Sequence, residues 1–465
     1  MGFFHCRIED DVMMKGAKIL VLGTGVSGIG SAELLKDIGA FPYLFDENEQ
    51  ASAEAIRMKL REAYRDIPIY IGSMDDGILK ETKLAIISPG VPIDAPFVLK
   101  MKKMGIKVSG EIELAYLLSK GSLVAITGTN GKTTTTTLTG EIMKTVADTH
   151  VVGNIGYPYT IEALKTNDES VTVAEISSFQ LETMETFHPH VSAILNITPD
   201  HLNRHHTMEN YIALKESVTK CQTKDDFCIL NYRDEVLRDF ARKCPARVLF
   251  FSSVGPVEDG MYLEGEQIYR AYPGREPVPM LTIHDMNLVG MCNYENVMAA
   301  FLIAEAMGVP KDNILKTIRD FKAVEHRIEF VAEKKGVVYY NDSKATNPDA
   351  AIQGIKAMTR PTVLIGGGFD KNNTYDEWIE AFDGKVKALV LIGQTREAIA
   401  ECAQKHGIQN VILADTYEEC FKICVEQAEK GDAVLLSPAC ASWGMFKCYE
   451  QRGTMFKDMV NALED

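Results

Sequence analysis

The sequence lacks a long apolar stretch. Its longest mainly apolar run, MAAFLIAEAM from Met298 to Met307, has ten residues. A membrane-spanning helix needs about 20, so this run is expected to be a buried helix and no membrane partner is expected. The opening residues, MGFFHCRIEDDVMMKG, carry no basic region followed by an apolar one. No export signal is visible, and the cytoplasm is the expected location. Cations are under-represented: 49 Lys+Arg against 65 Asp+Glu gives 49 − 65 = −16 over 465 residues. Such a chain has no general attraction for phosphate backbones, so nucleic acid is not an expected partner. The ten cysteines form no C-x-x-C pair, and Cys420 and Cys424 lie one helical turn apart. Reduced core thiols are expected, not a disulfide framework or a zinc site. Low-complexity sequence is confined to five threonines, Thr133 to Thr137.

Short β-branched runs alternate with segments of helical period through most of the chain, the pattern of parallel sheets joined by crossover helices. Three α/β blocks are expected: 1–108, 109–323 and 324–465. The first contains KILVLG, FPYLFD and LAIISPG. The second contains SLVAI, VTVAEI, VSAILNI, DDFCILN and RVLFF, followed by a small hairpin insertion over 254–285. The third contains VVYYND, TVLIGGG, KALVLIG, NVILA and AVLLSP.

In the first block, Gly23-Thr-Gly25-Val26-Ser27-Gly28 follows a strand and opens a helix, and Asp46 ends the next strand. Glycines admit an anion close to the backbone, the helix start offers N–H donors, and the acid can take a hydroxyl. A nicotinamide or flavin cofactor, another nucleotide diphosphate and a plain tight turn all fit this loop. Ser88-Pro-Gly90 ends another strand and would line the same crevice.

In the second block, the strand before Thr127-Gly128-Thr129-Asn130-Gly131-Lys132-Thr133-Thr134 makes a phosphate loop the expected reading. Amides curl around phosphates, Lys132 adds a point charge, and the Thr133 hydroxyl suits Mg²⁺. Ile126 stands where the full Walker pattern has its first glycine. Glu175 ends a strand that a parallel sheet sets near the loop, where a carboxylate can ligate metal or orient water; Ser177, Ser178 and Gln180 follow. Asp200, His201, His205 and His206 lie beyond the next strand. Solvated or substrate-facing histidines are expected there in preference to zinc ligands. Read alone, Lys215 is a surface lysine.

In the third block, His326-Arg327, Asn341 to Asn347 with Asp342, Lys344 and Thr346, Gly366 to Lys371, and Ser437 to Ser442 are polar loops. All but the first follow strands, where a lysine and hydroxyls suit a carboxylate.

TGTNGKTT, AEISSFQLE (Ala174 to Glu182), NDSKATN (Asn341 to Asn347) and LSPACAS (Leu436 to Ser442), in this order, resemble the Mur ligase family of bacterial cell-wall synthesis, and within it the D-glutamate-adding branch. The resemblance runs from about Lys15 to the end. It implies a Rossmann-like UDP-binding domain, a central P-loop ATPase-like domain and a Rossmann-like amino-acid-binding domain. It implies an ATP- and Mg²⁺-dependent ligase that adds D-glutamate to UDP-N-acetylmuramoyl-L-alanine through an acyl phosphate, as a monomer. Gly25, Val26, Ser27, Asp46, Ser88, Gly90, Asn154, Ser177 and Gln180 would then bind the UDP substrate. Gly128, Thr129, Asn130, Gly131, Lys132, Thr133, Thr134, Asn293, Asn296, Arg327 and Asp342 would hold ATP. Thr133, Glu175, His201 and Lys215 would ligate magnesium, Lys215 as a carbamate, and Lys132, Glu175, His201 and Lys215 would be the catalytic set. Lys344, Thr346, Lys371, Ser442, Trp443 and Tyr449 would bind D-glutamate. Cys292 stands where the family usually has His, and Tyr449 where some relatives have Phe. The nearest alternative is a diamino-acid-adding or folylpolyglutamate synthase-like relative, against which ATNPDA (Ala345 to Ala350) argues.

Overall fold

The computed structural model describes residues 14–371 and 373–464, so the N-terminal extension with Cys6 lies outside the described residues. The chain divides into two compact units. One comprises 1–262, 270–278 and 298–315; the other comprises 263–269, 279–297 and 316–465.

The first unit begins with a five-stranded parallel sheet of β1 (Lys18–Leu22), β2 (Phe41–Asp46), β3 (Ile69–Ile71), β4 (Leu84–Ile87) and β5 (Lys107–Gly110), ordered β3-β2-β1-β4-β5. The order reverses direction between β1 and β4, so the loops after these two strands part and leave a crevice at their carboxyl ends. β5 carries across residue 108, so Ser109 belongs to this sheet.

The second sheet contains β6 (Ser122–Thr127), β7 (Thr149–Gly153), β8 (Val171–Glu175), β9 (Val191–Ile194), β10 (Phe227–Asn231), β11 (Arg247–Ser252), β12 (Gly260–Glu264), β13 (Gln267–Ala271) and β14 (Val278–Thr282). Its order is β14-β13-β12-β11-β10-β9-β6-β8-β7, and the expected hairpin insertion is the run β12 to β14. β6 has parallel partners on both sides, β8 and β9, and five of its six residues are buried. That is why LVAIT is an unbroken apolar run ending on one hydroxyl: a strand covered on both faces has no solvent side to pattern.

The second unit carries β15 (Glu329–Lys334), β16 (Val337–Asn341), β17 (Thr362–Gly366), β18 (Val386–Leu391), β19 (Val411–Leu413) and β20 (Ala433–Leu436), ordered β15-β16-β20-β17-β18-β19. All pairs are parallel except β15 with β16. β16, β20 and β17 are neighbours, so the three polar loops that follow them share one sheet edge. Trp378 is fully buried, edge-on to Tyr375 and Phe382. No helix among the described residues is long and apolar enough to cross a membrane.

Candidate functional site

The glycine loop after β1 sits at the switch point of the first sheet. Gly28 is required by space, since a Cβ there would stand 1.9 Å from the Gly23 carbonyl oxygen. A Cβ on Gly25 would meet nothing within 4 Å, so that side of the loop is open. Ser88, from the β4 loop, is buried, and its hydroxyl has no hydrogen-bond partner among the described residues. Asp46 accepts hydrogen bonds from the Thr24 hydroxyl and the Asn48 amide. Gly25, Val26, Ser27, Asp46 and Ser88 thus gather at one end of this sheet; Gly90 lies two residues beyond Ser88 with no neighbour near its Cα hydrogens.

The loop after β6 is pinned by Asn196, which follows β9. The Thr129 amide donates to the Asn196 carbonyl at 3.0 Å, the Asn130 amide to Asn196 Oδ1 at 2.8 Å, and Asn196 Nδ2 to the Asn130 carbonyl at 3.0 Å. Gly131 caps the helix Lys132–Met143 with φ 72°, a left-handed conformation that glycine adopts without Cβ strain. This helix start directs amides and the positive end of the dipole at the loop. Lys132 Nζ folds onto the carbonyls of Gly128 and Thr129, each at 3.1 Å, and Thr133 and Thr134 are buried behind it.

Glu175, at the end of β8, is 1% exposed. Asn154 holds one edge of it: Nδ2 donates to Oε1 at 2.8 Å, and the Asn154 amide donates to the Glu175 carbonyl at 2.9 Å. Glu175 Oε2 is buried with no hydrogen-bond partner among the described residues. A buried carboxylate oxygen left unsatisfied costs about 1–3 kcal/mol or more, so the arrangement suits a cation at that oxygen.

Lys215 corrects the surface-lysine reading, being 1% exposed. It shares a helix face with Tyr211, four residues earlier and equally buried. Its Nζ donates to Thr127 Oγ1 at 3.1 Å and to the Gly128 carbonyl at 2.9 Å. Burial holds its ammonium well below the ordinary lysine range; the Lys132 charge pushes the same way, while Asp200 and Glu175 oppose. The result is a buried amine, beside the loop after β6, whose charged form is disfavoured.

The histidines separate. His205 is buried, its Nε2 is 2.9 Å from Ser178 Oγ, and desolvation lowers its pKa. His201 caps the helix Leu202–His205 at φ 53°, with Nε2 3.5 Å from Asp200 Oδ2 and its ring 4.8 Å from Phe179. His206 is exposed, and among the described residues the three form no metal cluster. Ser177 and Gln180 form a capping box on the helix Ser178–Leu181.

Gln180 leads to a residue that the sequence reading missed. Its Nε2 donates to Glu111 Oε1 at 3.0 Å, and Glu111 also hydrogen-bonds Ser27 of the glycine loop. Burial raises the Glu111 carboxyl to about 7. The available signal was SGEIE, an acid opening a helix directly after a strand.

In the second unit, Asp342 at the end of β16 is buried and satisfied on both oxygens. The Ile328 amide donates to Oδ1 at 3.2 Å, and Ser437 Oγ, from the β20 loop, donates to Oδ2 at 2.7 Å. Burial raises its pKa to about 7 against the Ser437 hydrogen bond and the Arg327 and Arg452 charges. Arg327 stands between His326 (φ 65°) and Ile328 (φ 45°), both in the left-handed region. Such backbone costs on the order of 1–3 kcal/mol per residue and persists only where the surroundings impose it.

Arg452 was also missed; it is 3% exposed within a sequence, EQRGTMF, that reads as an outer helix face. Nε donates to Ser343 Oγ at 3.0 Å, Nη2 to the Ser343 carbonyl at 2.8 Å, and Nη1 to the Cys440 carbonyl at 3.2 Å. It therefore ties the β16 loop to the β20 loop. Lys344 Nζ lies 5.3 Å from the Tyr449 ring centroid and Lys371 Nζ 4.9 Å from that of Trp443, which is itself half exposed. Ser442 is buried, and Thr346 turns back to the Lys344 carbonyl. Asn293 and Asn296 are buried one helical turn apart, Nδ2 of Asn296 donating to Oδ1 of Asn293 at 3.3 Å. Burial pushes the Cys292 thiol up to about 12.

A switch-point crevice, a glycine–lysine loop with buried charges and a third sheet with adjoining polar loops define the class: a three-domain α/β protein of mainly parallel sheets. Family models match residues 17–110 (Mur ligase MurD-like, N-terminal domain), 126–304 (Mur ligase middle domain) and 326–440 (Mur ligase, glutamate ligase domain). A relative from Lachnospira eligens, named UDP-N-acetylmuramoylalanine--D-glutamate ligase, is 55% identical over 97% of this chain and 100% of its own length. A relative of the same name from Clostridioides difficile is 44% identical over 97% and 100%. Among solved structures, MurF ligase from Thermotoga maritima in complex with ADP aligns with TM-score 0.59 at 17% identity, covering 97% of this chain and 96% of that one. The chain belongs to the Mur ligase family.

Proposed function

We propose that this protein is an ATP-dependent ligase that joins D-glutamate to UDP-N-acetylmuramoyl-L-alanine in peptidoglycan synthesis. The observation that carries this reading is the 55% identity, over 97% of the chain, to a relative named for that reaction. The residues supply a consistent chemistry. A carboxylate is a poor acyl donor, so an oxygen of the alanyl carboxylate bonds to the γ-phosphorus of ATP as the β,γ phosphorus–oxygen bond breaks, giving an acyl phosphate and ADP. The glutamate amine then attacks the carbonyl carbon, the carbon–oxygen bond to phosphate breaks, and the amine loses a proton.

Phosphoryl transfer is mostly positioning and charge neutralisation. The amides from Gly128 to Thr134 and the Lys132 ammonium serve that end. Thr133, Glu175, His201 and Lys215 would hold Mg²⁺, which when bound neutralises phosphate charge. Glu175 Oε2 supports this fit, as a buried oxygen with no hydrogen bond among the described residues. Lys215 supports it differently. A neutral amine adds carbon dioxide, forming an N–C bond and releasing a proton, and the carbamate gives an anionic oxygen where a cation stood. Asn154 orients Glu175 and faces the muramoyl substrate. Gly25, Val26, Ser27, Asp46, Ser88, Gly90, Ser177 and Gln180 would hold the nucleotide-sugar, and Asn293, Asn296, Arg327 and Asp342 would hold ATP. Lys344, Thr346, Lys371, Ser442, Trp443 and Tyr449 would bind D-glutamate, two cations meeting two carboxylates. A cytoplasmic monomer working on soluble small molecules completes the proposal.

The test is phosphate release by the purified chain with ATP, Mg²⁺ and UDP-N-acetylmuramoyl-L-alanine. D-glutamate should be the amino acid that drives release. Release driven instead by L-glutamate, lysine or meso-diaminopimelate would assign the chain to another branch.

A further inference from the structure

Away from every loop discussed above, the second unit gathers an acid, a thiol and an imidazole. Cys402 and His406 are four residues apart, at the end of the helix Arg396–Lys405, so they share a face. Asp376 opens the neighbouring helix Asp376–Glu380. Among the described residues this is the one group in which a carboxylate oxygen, a sulfur and a ring nitrogen all lie within 4.8 Å of one another. We propose that Asp376, Cys402 and His406 form a binding site for a borderline-soft divalent ion, zinc foremost, which clips these two helices together.

The donor set decides the ion. A thiolate with an imidazole selects zinc-like metals, whereas Mg²⁺ prefers oxygens alone. Tetrahedral zinc, with bonds of about 2.0–2.3 Å, sets its donors roughly 3.3–3.8 Å apart, which side-chain rotation within the present cluster reaches. The imidazole is already oriented. His406 Nε2 lies 3.0 Å from Asp376 Oδ1, and Nδ1 lies 3.9 Å from Glu380 Oε1. With Nε2 turned to the ion, Nδ1 faces the side of Glu380, whose Oε1 at 3.9 Å is close enough to move into the carboxylate–imidazole–metal arrangement. Water takes the fourth position. The His406 side chain is 27% exposed and that of Asp376 62%, so the ion has an entry path.

The proton balance is explicit. Partial burial, and then the Asp376 charge, pushes the Cys402 thiol up from its ordinary range. Zinc forms the sulfur–metal bond as the thiol proton leaves to solvent, so affinity rises with pH. Asp376 contributes its carboxylate already ionised, held low by the His406 hydrogen bond.

The test uses the whole protein and cobalt(II) as a spectroscopic stand-in for zinc, with Mg²⁺ in excess to occupy oxygen-only sites. One equivalent of cobalt should give a sulfur-to-metal charge-transfer band. Cys402→Ser should abolish the band, and His406→Gln should weaken binding roughly tenfold or more. Zinc should raise the melting temperature of the parent and leave that of Cys402→Ser unmoved. A band that survives Cys402→Ser, or no thiolate band at all, overturns the proposal. Neither result bears on ligase activity, so the site stands or falls independently of the reaction.

Discussion

The phosphate-loop crevice of the first unit and the loop cluster of the second both bury charge, but they finish it differently. Beside the phosphate loop, Glu175 keeps one carboxylate oxygen without a hydrogen bond among the described residues, and Lys215 is a buried amine that donates to a hydroxyl and a carbonyl and lies over the Tyr211 ring. In the second unit Asp342 is satisfied on both oxygens, and Arg452 spends three donors on two loops. The first arrangement is incomplete until ligands bring counter-charge. The second is a self-contained frame, with Lys344 over the Tyr449 ring and Lys371 over that of Trp443 at its loops. Removing charge from the crevice should therefore cost activity, and removing it from the frame should cost stability.

The largest effect is expected from Lys132→Ala, which should lower D-glutamate-dependent phosphate release by about 10²–10³-fold, roughly 3–4 kcal/mol of barrier, with little change in melting temperature. Parent turnover in that variant would remove the loop from the chemistry. Lys215→Ala should lose activity on the order of 10–100-fold, with partial recovery in high bicarbonate or a short-chain carboxylic acid. Full activity without additive would end the carbamate reading.

Arg452→Met should do the opposite and destabilise the second unit by about 3–5 kcal/mol, because Asp342 loses a nearby charge and two carbonyls lose donors. Both tryptophans, Trp378 and Trp443, lie in that unit, so denaturant unfolding followed by their fluorescence reads it directly. An unchanged midpoint would dissolve the contrast between frame and crevice.

Glu111 sharpens the comparison through pH. Its folded carboxyl titrates at about 7 against an ordinary 4.5. Between these values the folded state binds the extra proton, so its contribution is complete below pH 4.5 and is lost as pH rises through about 7. Glu111→Gln, which stays neutral, should flatten that slope by roughly 1–3 kcal/mol in stability measured across the window. An identical slope in the variant would show that Glu111 is not the titrating group. The smallest effect is expected at Ala439, a buried non-glycine residue at φ 58° in the β20 loop. Ala439→Gly should stabilise the second unit by up to about 1 kcal/mol. Clear destabilisation would show that the loop is not strained there.

The strands that carry the loops were legible because they are buried on both faces and written as nearly unbroken apolar runs, as in Ser122–Thr127 and Thr362–Gly366. Strands with less apolar content escaped. Glu329–Lys334 has three apolar residues between charged ends on a half-exposed antiparallel edge, and Lys107–Gly110 has only four residues and ends on glycine. In the site, short-range motifs such as TGTNGKTT announce themselves because glycine, lysine and hydroxyl lie adjacent in sequence. Lys215, Glu111 and Arg452 do not. Lys215 is buried by packing against the loop 87 residues earlier, and Arg452 by Ser343, 109 residues away. No local pattern encodes such partners; the family resemblance points to Lys215 and is silent on the other two.

The left-handed pair His326 and Ile328 has an evolutionary corollary. Selection for heat resistance alone would favour glycine or asparagine at these two positions, where the backbone resists the side chains it carries. Each such replacement would slacken the turn around Arg327. A relative that gains heat resistance while keeping this strained turn must therefore reinforce the domain elsewhere.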